Sequence, residues 1–254
     1  NGPGTNYVCP GRVRVFELQS GSWVQMGSEI VGIIVDETGT SVSLSGDGKR
    51  LAVGSPGYSP GATENGSQGS LYVTGRVSVY YWDTAVSEWS LLDDHIMSHS
   101  AINAAGCTSN CGDYDKFGYV VSLSYDGSTL AIGAGGRPAS YVKVYKLQVN
   151  VLQWHALAKI SEPSVTKLTQ NAGPNIVVSP DGNRVAVITG GLRIFEVSSN
   201  GWSQFGGSDL SSGGNSGSSA SFSEDGSIVS FAGGGNSCWL KVFRYDGDGW
   251  VQKG

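Results

Sequence analysis

Four times along the chain the tetrapeptide Ser-x-Asp-Gly recurs: Ser45-Gly46-Asp47-Gly48, Ser124-Tyr125-Asp126-Gly127, Ser179-Pro180-Asp181-Gly182 and Ser223-Glu224-Asp225-Gly226. Counting from each Asp, the residues five and three before it are apolar: Val42 and Leu44, Val121 and Leu123, Ile176 and Val178, Ala220 and Phe222. The residues four and six after it are apolar too, with a small residue between: Leu51 and Val53, Leu130 and Ile132, Val185 and Val187, Val229 and Phe231. Period-two alternation on both sides of Asp-Gly marks two antiparallel strands joined by a tight turn, because such turns need positive φ, which Gly adopts freely and Asp nearly as well. Gly48, Gly127, Gly182 and Gly226 are therefore expected at positive φ.

A second signal follows each hairpin. Val13-Arg14-Val15-Phe16, Val77-Ser78-Val79-Tyr80, Val142-Lys143-Val144-Tyr145, Leu192-Arg193-Ile194-Phe195 and Leu240-Lys241-Val242-Phe243 alternate and end in an aromatic, and a Trp comes 7 or 9 residues later: Trp23, Trp89, Trp154, Trp202 and Trp250. That is a second hairpin. Four short antiparallel strands repeated along a chain predict an all-β fold, a β-propeller of four-stranded blades; a β-sandwich is the runner-up, since short evenly spaced strands also fit it. The units run approximately 1–27, 28–93, 94–158, 159–205 and 206–254 within one propeller domain or propeller fragment. The first is a half-blade, with third and fourth strands but no inner hairpin. Four full units plus a half-blade make either a five-unit ring or part of a six- to seven-bladed one.

Composition narrows the function classes. Glycine supplies 39 of 254 residues and charged residues only 15%, which excludes a helical bundle, a coiled coil and a disordered segment. No apolar run is long enough for a membrane span. The net charge of -5, without a basic run, argues against a nucleic-acid partner. The opening Asn1-Gly2-Pro3-Gly4 carries no Met, basic region or apolar segment, and reads as a processed mature form or a piece of something longer. The cysteines, Cys9, Cys107, Cys111 and Cys238, lack double C-x-x-C zinc spacing.

Asp115-Lys116-Phe117-Gly118, followed by Val121 to Gly127 and Leu130-Ala131-Ile132-Gly133-Ala134, resembles the FG-GAP repeat of integrin-α-type propellers and of bacterial and algal surface proteins. Thr40 to Pro56 resembles it too, with Gly39-Thr40 where Phe-Gly would stand, and the unit around Asp181 is similar to WD-repeat and TolB-type blades. The resemblance implies a propeller, calcium in some members, and surface or adhesive work. Fold alone does not fix function.

Two insertions share one face: Ser55 to Thr74, between second and third strands, and Asp93 to Lys116, between blades. Long loops on a rigid scaffold are where binding residues concentrate. The expected function is thus an extracellular or cell-surface module, structural or adhesive, that binds a protein partner or self-assembles through these loops. The alternative is a glycan-binding or glycan-processing propeller. Extracellular residence is further indicated by the sequon Asn65-Gly66-Ser67 and by Cys107 and Cys111, spaced to close a small disulfide loop. Cys9 and Cys238 stand at equivalent entrances to third strands and are expected to be unpaired with each other. The half-blade is expected to leave an apolar groove beside residues 12 to 27, filled by a partner segment.

Candidate chemistry is sparse. Asp113 and Asp115, and Asp246 and Asp248, alternate as calcium-loop carboxylates do, but a full site needs six to eight oxygens, so turn geometry is the favoured reading and calcium the weaker one. Asp93, Asp94, His95 and His99 could gather a transition metal only if the H-x-x-x-H spacing lay on a helix; a polar loop is the simpler reading. All four turns read Asp-Gly directly, unlike the sialidase Asp-box, and no nucleophile elbow, P-loop or dinucleotide fingerprint occurs. The sequence alone therefore predicts no enzyme and no resident cofactor.

Overall fold

The computed structural model describes residues 10–33, 36–60, 73–98, 115–136, 141–160, 175–188, 191–198, 201–207, 210, 217–233 and 239–254. Every regular element among them is a strand. The half-blade holds β1 (Arg12–Val13), β2 (Phe16–Gln19), β3 (Ser22–Gln25) and β4 (Ile30–Val31), pairing as β1 with β4 and β2 with β3. The first full blade is β5 (Ser41–Leu44), β6 (Arg50–Ser55), β7 (Arg76–Asp83) and β8 (Glu88–Leu91), joined by β9 (Ile96–Met97), which pairs with the first residues of β7. The second is β10 (Phe117–Leu123), β11 (Thr129–Ala134), β12 (Tyr141–Gln148) and β13 (Gln153–Ile160). The third is β14 (Asn175–Val178), β15 (Arg184–Ile188), β16 (Leu192–Ser198) and β17 (Gly201–Gln204), and the fourth β18 (Gly217–Phe222), β19 (Ile228–Gly233), β20 (Trp239–Tyr245) and β21 (Trp250–Lys253). Each full blade is an antiparallel meander in chain order. The fold is a β-propeller.

The turn motif does more than reverse the chain. Its glycines have φ of 69°, 65°, 70° and 67° at Gly48, Gly127, Gly182 and Gly226, as the hairpin requires. In every copy the Ser hydroxyl donates to the Asp carboxylate at 2.5–2.6 Å. The same oxygen accepts the N–H five residues on, at 2.9–3.0 Å. Neighbouring turns are also bonded to one another: Gly46 N–H donates to the Tyr125 carbonyl (2.7 Å) and Tyr125 N–H to that of Pro180 (3.0 Å). The residue three past each of the first three Asp reaches onward, Arg50 to the Asp126 carbonyl, Thr129 to that of Gly182 and Arg184 to that of Gly226.

The core lies between blades. Ala52, Val77 and Val79 pack on Val121, Leu123, Leu130, Ile132 and Tyr145; Ala131, Val142 and Val144 on Ile176, Val178, Val185, Val187 and Phe195; Ala186, Leu192 and Ile194 on Val229, Phe231, Phe243 and Trp250. The small residue between the two apolar ones of each second strand lets the next blade approach. Trp89, Trp154, Trp202 and Trp250 all join these interblade clusters. Serine hydroxyls close the seam at the inner strands, accepting from the following blade's backbone: Val121 N–H to Ser41 (3.0 Å), Leu123 N–H to Ser43 (2.9 Å) and Val178 N–H to Ser122 (3.0 Å).

Candidate functional site

At the strand ends opposite the Asp-Gly turns, the first and second full blades open with the same device. Asp36 and Asp115 each stand eleven residues before a turn Asp. Each is followed by a residue at positive φ, Glu37 at 55° and Lys116 at 47°, and then by Gly39 at 87° and Gly118 at 88°. Each aspartate's carbonyl accepts a glycine N–H, from Gly57 at 3.0 Å and Gly136 at 2.9 Å. Each carboxylate meets the first residue of the third strand: Arg76 pairs across the sheet with Ser55, and Tyr141 with the equivalent Ala134. The third and fourth blades' counterparts, Gln170 and Gly214, lie outside the described residues.

The two nodes differ in chemistry. Asp115 accepts from Tyr141 Oη at 3.0 Å and from the buried Ser98 hydroxyl. Burial drives the Tyr141 hydroxyl far above its ordinary range, so this node is neutral on the tyrosine side. Lys143 lies 5.5 Å from the Phe117 ring centre and 5.7 Å from that of Tyr141. The Asp36 node is ionic. Asp36 is wholly buried and its Oδ2 meets Arg76 Nη2 at 2.6 Å, yet Oδ1 and Arg76 Nε are buried with no hydrogen-bond partner among the described residues. Desolvation raises the Asp36 carboxyl, opposed by the Arg76 charge. The guanidinium lies 4.6 Å from the Tyr58 ring centre. Beside it, His95 Nδ1 and Ser78 Oγ are 2.7 Å apart, and burial followed by the Arg76 charge lowers the imidazole below its usual range. A neutral imidazole, a cation, a buried carboxyl and an aromatic face thus share one corner.

Other sequence-derived residues fall elsewhere. Asp246 and Asp248 occupy the β20–β21 turn, where Asp246 Oδ1 accepts the N–H groups of Asp248 (3.1 Å) and Gly249 (3.0 Å), which hold its carboxyl below the usual range. Asp93 accepts the backbone N–H of Asp94 and of Trp154. Among the described residues no group of three or more His, Cys, Asp or Glu gathers as metal ligands. Asp113, His99, the sequon Asn65, and Cys9, Cys107, Cys111 and Cys238 lie outside the described residues. No described helix is long and apolar enough to cross a membrane. Sequence reasoning passed over Asp36, Tyr58 and Arg76. The repeat spacing could have found them, since Asp36 and Asp115 hold the same offset from their turns.

No protein-family model matches the chain. No curated protein sequence matches it either. Solved structures do, through fold. The periplasmic gluconolactonase of Pseudomonas aeruginosa superposes with a TM-score of 0.55 at 14% identity, over 95% of this chain and 62% of that one. A protein named as a candidate 6-phosphogluconolactonase from Bacteroides fragilis gives 0.55 at 12% identity, over 98% and 64%, and Sqt1 of Chaetomium thermophilum 0.56 at 17%, over 95% and 53%. The chain therefore spans less than two thirds of these propellers, and the likeness establishes the shared fold.

These neighbours correct two expectations. An adhesive module without catalysis was inferred from the Phe-Gly resemblance and from the lack of a contiguous catalytic motif, whereas the matched propellers include proteins named as lactonases. The inference failed for a physical reason: a site on a propeller face is assembled from loops of separate blades, so its residues form no motif in sequence. The sugar-processing alternative is the reading that goes forward.

Proposed function

We propose that this chain forms part of a sugar-processing propeller that acts on small sugar lactones, with its site at the Asp36–Arg76 corner. The carrying observation is the buried ion pair whose remaining donor and acceptor, Arg76 Nε and Asp36 Oδ1, have no partner among the described residues, an arrangement that a polar ligand completes. The Tyr58 ring beside Arg76 offers an apolar surface for a sugar's C–H face. In hydrolysis, water adds to the lactone carbonyl, the oxygen gains negative charge, and the ring ester bond breaks with proton transfer to the departing alkoxide. Arg76 supplies the cation for the developing oxyanion. His95, kept neutral near pH 7 by burial and by Arg76, is the base that takes the water's proton.

The Phe-Gly character of the repeat belongs to the same reading, supported by the paired Asp-x-x-Gly openings at Asp36 and Asp115. So does work outside the cytoplasm, which the sequon at Asn65 favours and which accords with the periplasmic gluconolactonase among the neighbours. The test is turnover and calorimetric binding on a panel of aldonolactones, their 6-phosphates and simple glycosides. Lactone turnover that falls at least a hundredfold in Arg76→Met and His95→Gln, with folding retained, is expected. Failure of every lactone to bind or react, or equal activity in the variants, would overturn the proposal.

A further inference from the structure

The half-blade carries an apolar groove that no described strand fills. Among the described residues β2 pairs with β3 alone, which leaves its other edge without a strand partner. Beside that edge lies this largely apolar groove of about 580 Å³, lined by Val13, Val15, Phe16, Trp23, Val42, Leu44 and Leu51, with Arg14 its one charged residue. Val42 and Leu44 are 50% and 45% exposed, whereas their counterparts Val121 and Leu123 are 5% and 7% exposed beneath the preceding blade's inner strands. The backbone shows the same deficit. Val121 and Leu123 donate their N–H groups to Ser41 and Ser43; the corresponding donors on β5 belong to Val42 and Leu44, and among the described residues the half-blade has no inner strand to receive them.

We infer that the groove seats the inner hairpin of this blade, a further Ser-x-Asp-Gly unit of the same polypeptide lying outside residues 1–254, which thereby closes the ring. The rest of the fold specifies its chemistry. Four residues before its Asp it carries Ser, as at Ser43, Ser122 and Ser221, to accept from Leu44 N–H. The residue just before that Asp donates its N–H to the Gly46 carbonyl, as Gly46 does to Tyr125. Three residues past the Asp stands a donor for the next turn, as Arg50 and Thr129 are. Five past it stands a small residue, like Ala52, Ala131 and Ala186, so that Val42 and Leu44 can close over it. A continuous polypeptide is favoured over a second copy because the far end of the arc is open as well. Leu240 is 68% exposed where its counterpart Leu192 is wholly buried by the next blade, and the matched lactonase propellers have more than a third of their length beyond what this chain covers. Both observations call for further blades between these ends.

The probe is a synthetic peptide of residues 40–56, the β5–β6 hairpin, added to the 254-residue chain and followed by amide hydrogen exchange. Val42 and Leu44 should slow at least tenfold on saturation, while the peptide with Ser43→Val binds about five- to tenfold more weakly, the effect of one hydrogen bond. Val42→Lys in the chain, at a half-exposed position that leaves folding intact, should abolish the protection. In the protein purified from its source the same amides should be protected at every dilution. Unprotected amides with peptide present would overturn the inference. So would protection that appears in the 254-residue chain only as it dimerises, which would make the occupant a second copy, or protection in the source protein that vanishes on dilution, which would make it a separate chain.

Discussion

Replacing Ser124 by Ala and Ser223 by Ala removes the same atom from the same motif in two environments. Ser124 and Thr129 are both wholly buried. Ser124 Oγ donates to Asp126 at 2.5 Å and accepts from Thr129 N–H at 3.0 Å. Loss of that oxygen leaves a buried N–H without a partner, which costs about 1–3 kcal/mol, and deletes a hydrogen bond to a charged group, so roughly 2–4 kcal/mol is expected in all. At Ser223 the bond to Ile228 N–H is solvent-exposed (2.9 Å), and Asp225 keeps the Ser227 hydroxyl at 2.7 Å. Water replaces the missing oxygen there, and the loss stays under about 1 kcal/mol. For a chain of this size about 1 kcal/mol moves Tm by ~2–4 °C, so Ser124→Ala should melt several degrees below Ser223→Ala. Urea unfolding at constant m-value is the confirming assay. Equal losses in the two variants would refute the claim that the serine's work is to satisfy buried backbone.

Other outcomes follow from the same geometry. A Cβ on Gly54 would stand 2.0 Å from the Gly118 carbonyl oxygen, so Gly54→Ala should destabilise by ~1–3 kcal/mol, read as a lowered urea midpoint. Leu192→Ala should cost about 2–5 kcal/mol, while Leu240→Ala at the equivalent exposed position should cost under ~0.5 kcal/mol in the 254-residue chain. The Ser223 hydroxyl and Ser227 hold Asp225 down at about 2; a depressed carboxyl adds stability above its unfolded value near 3.8 and loses it as pH falls toward 2, so the urea midpoint should drop across that window and Asp225→Asn should flatten the drop. Asp36 carries the opposite sign, since its raised carboxyl loses its stabilising contribution as pH rises above 3.8 through the folded value. His95 should titrate below 6.5 by NMR and rise in Arg76→Met while staying depressed, because burial is the larger cause; its contribution to stability is lost as pH falls below 6.5.

The blades were legible because each is written locally. Val42, Leu44, Leu51 and Val53 sit within a dozen residues of one another around Asp47, and alternation alone orders their strands; the sheets pair in the register that alternation implies. β9 was not legible, because two residues carry no period and their pairing with Arg76 and Val77 is a long-range event. The corner site was hidden for a related reason. Asp36, Tyr58 and His95 come from three connections and Arg76 from the start of a strand, and nothing in their spacing marks them as neighbours. His95 was noticed only as one half of a metal-like pair, whereas its contact is the hydroxyl of Ser78. The serines of the turn were counted as repeat markers. Their bonds to the N–H five residues on are a consequence of three-dimensional turn geometry that a pattern of apolar residues does not show.

The strongest argument for a working site at Asp36 is its twin. The second blade meets the same structural need, a carboxylate that closes the blade opening onto the third strand, with a tyrosine and a serine hydroxyl on Asp115. That solution buries one charge and supplies it with two donors. The first blade instead places an arginine opposite a wholly buried carboxylate and, among the described residues, leaves one acceptor and one donor unmatched. Burying both members of an ion pair costs several kcal/mol per ion unless their remaining hydrogen-bonding capacity is filled. Packing alone therefore favours the Asp115 arrangement, and the fold demonstrably accommodates it one blade away. Departure from the cheaper repeat, at the loop-bearing end and beside an imidazole held neutral by burial, is what the proposed ligand site accounts for.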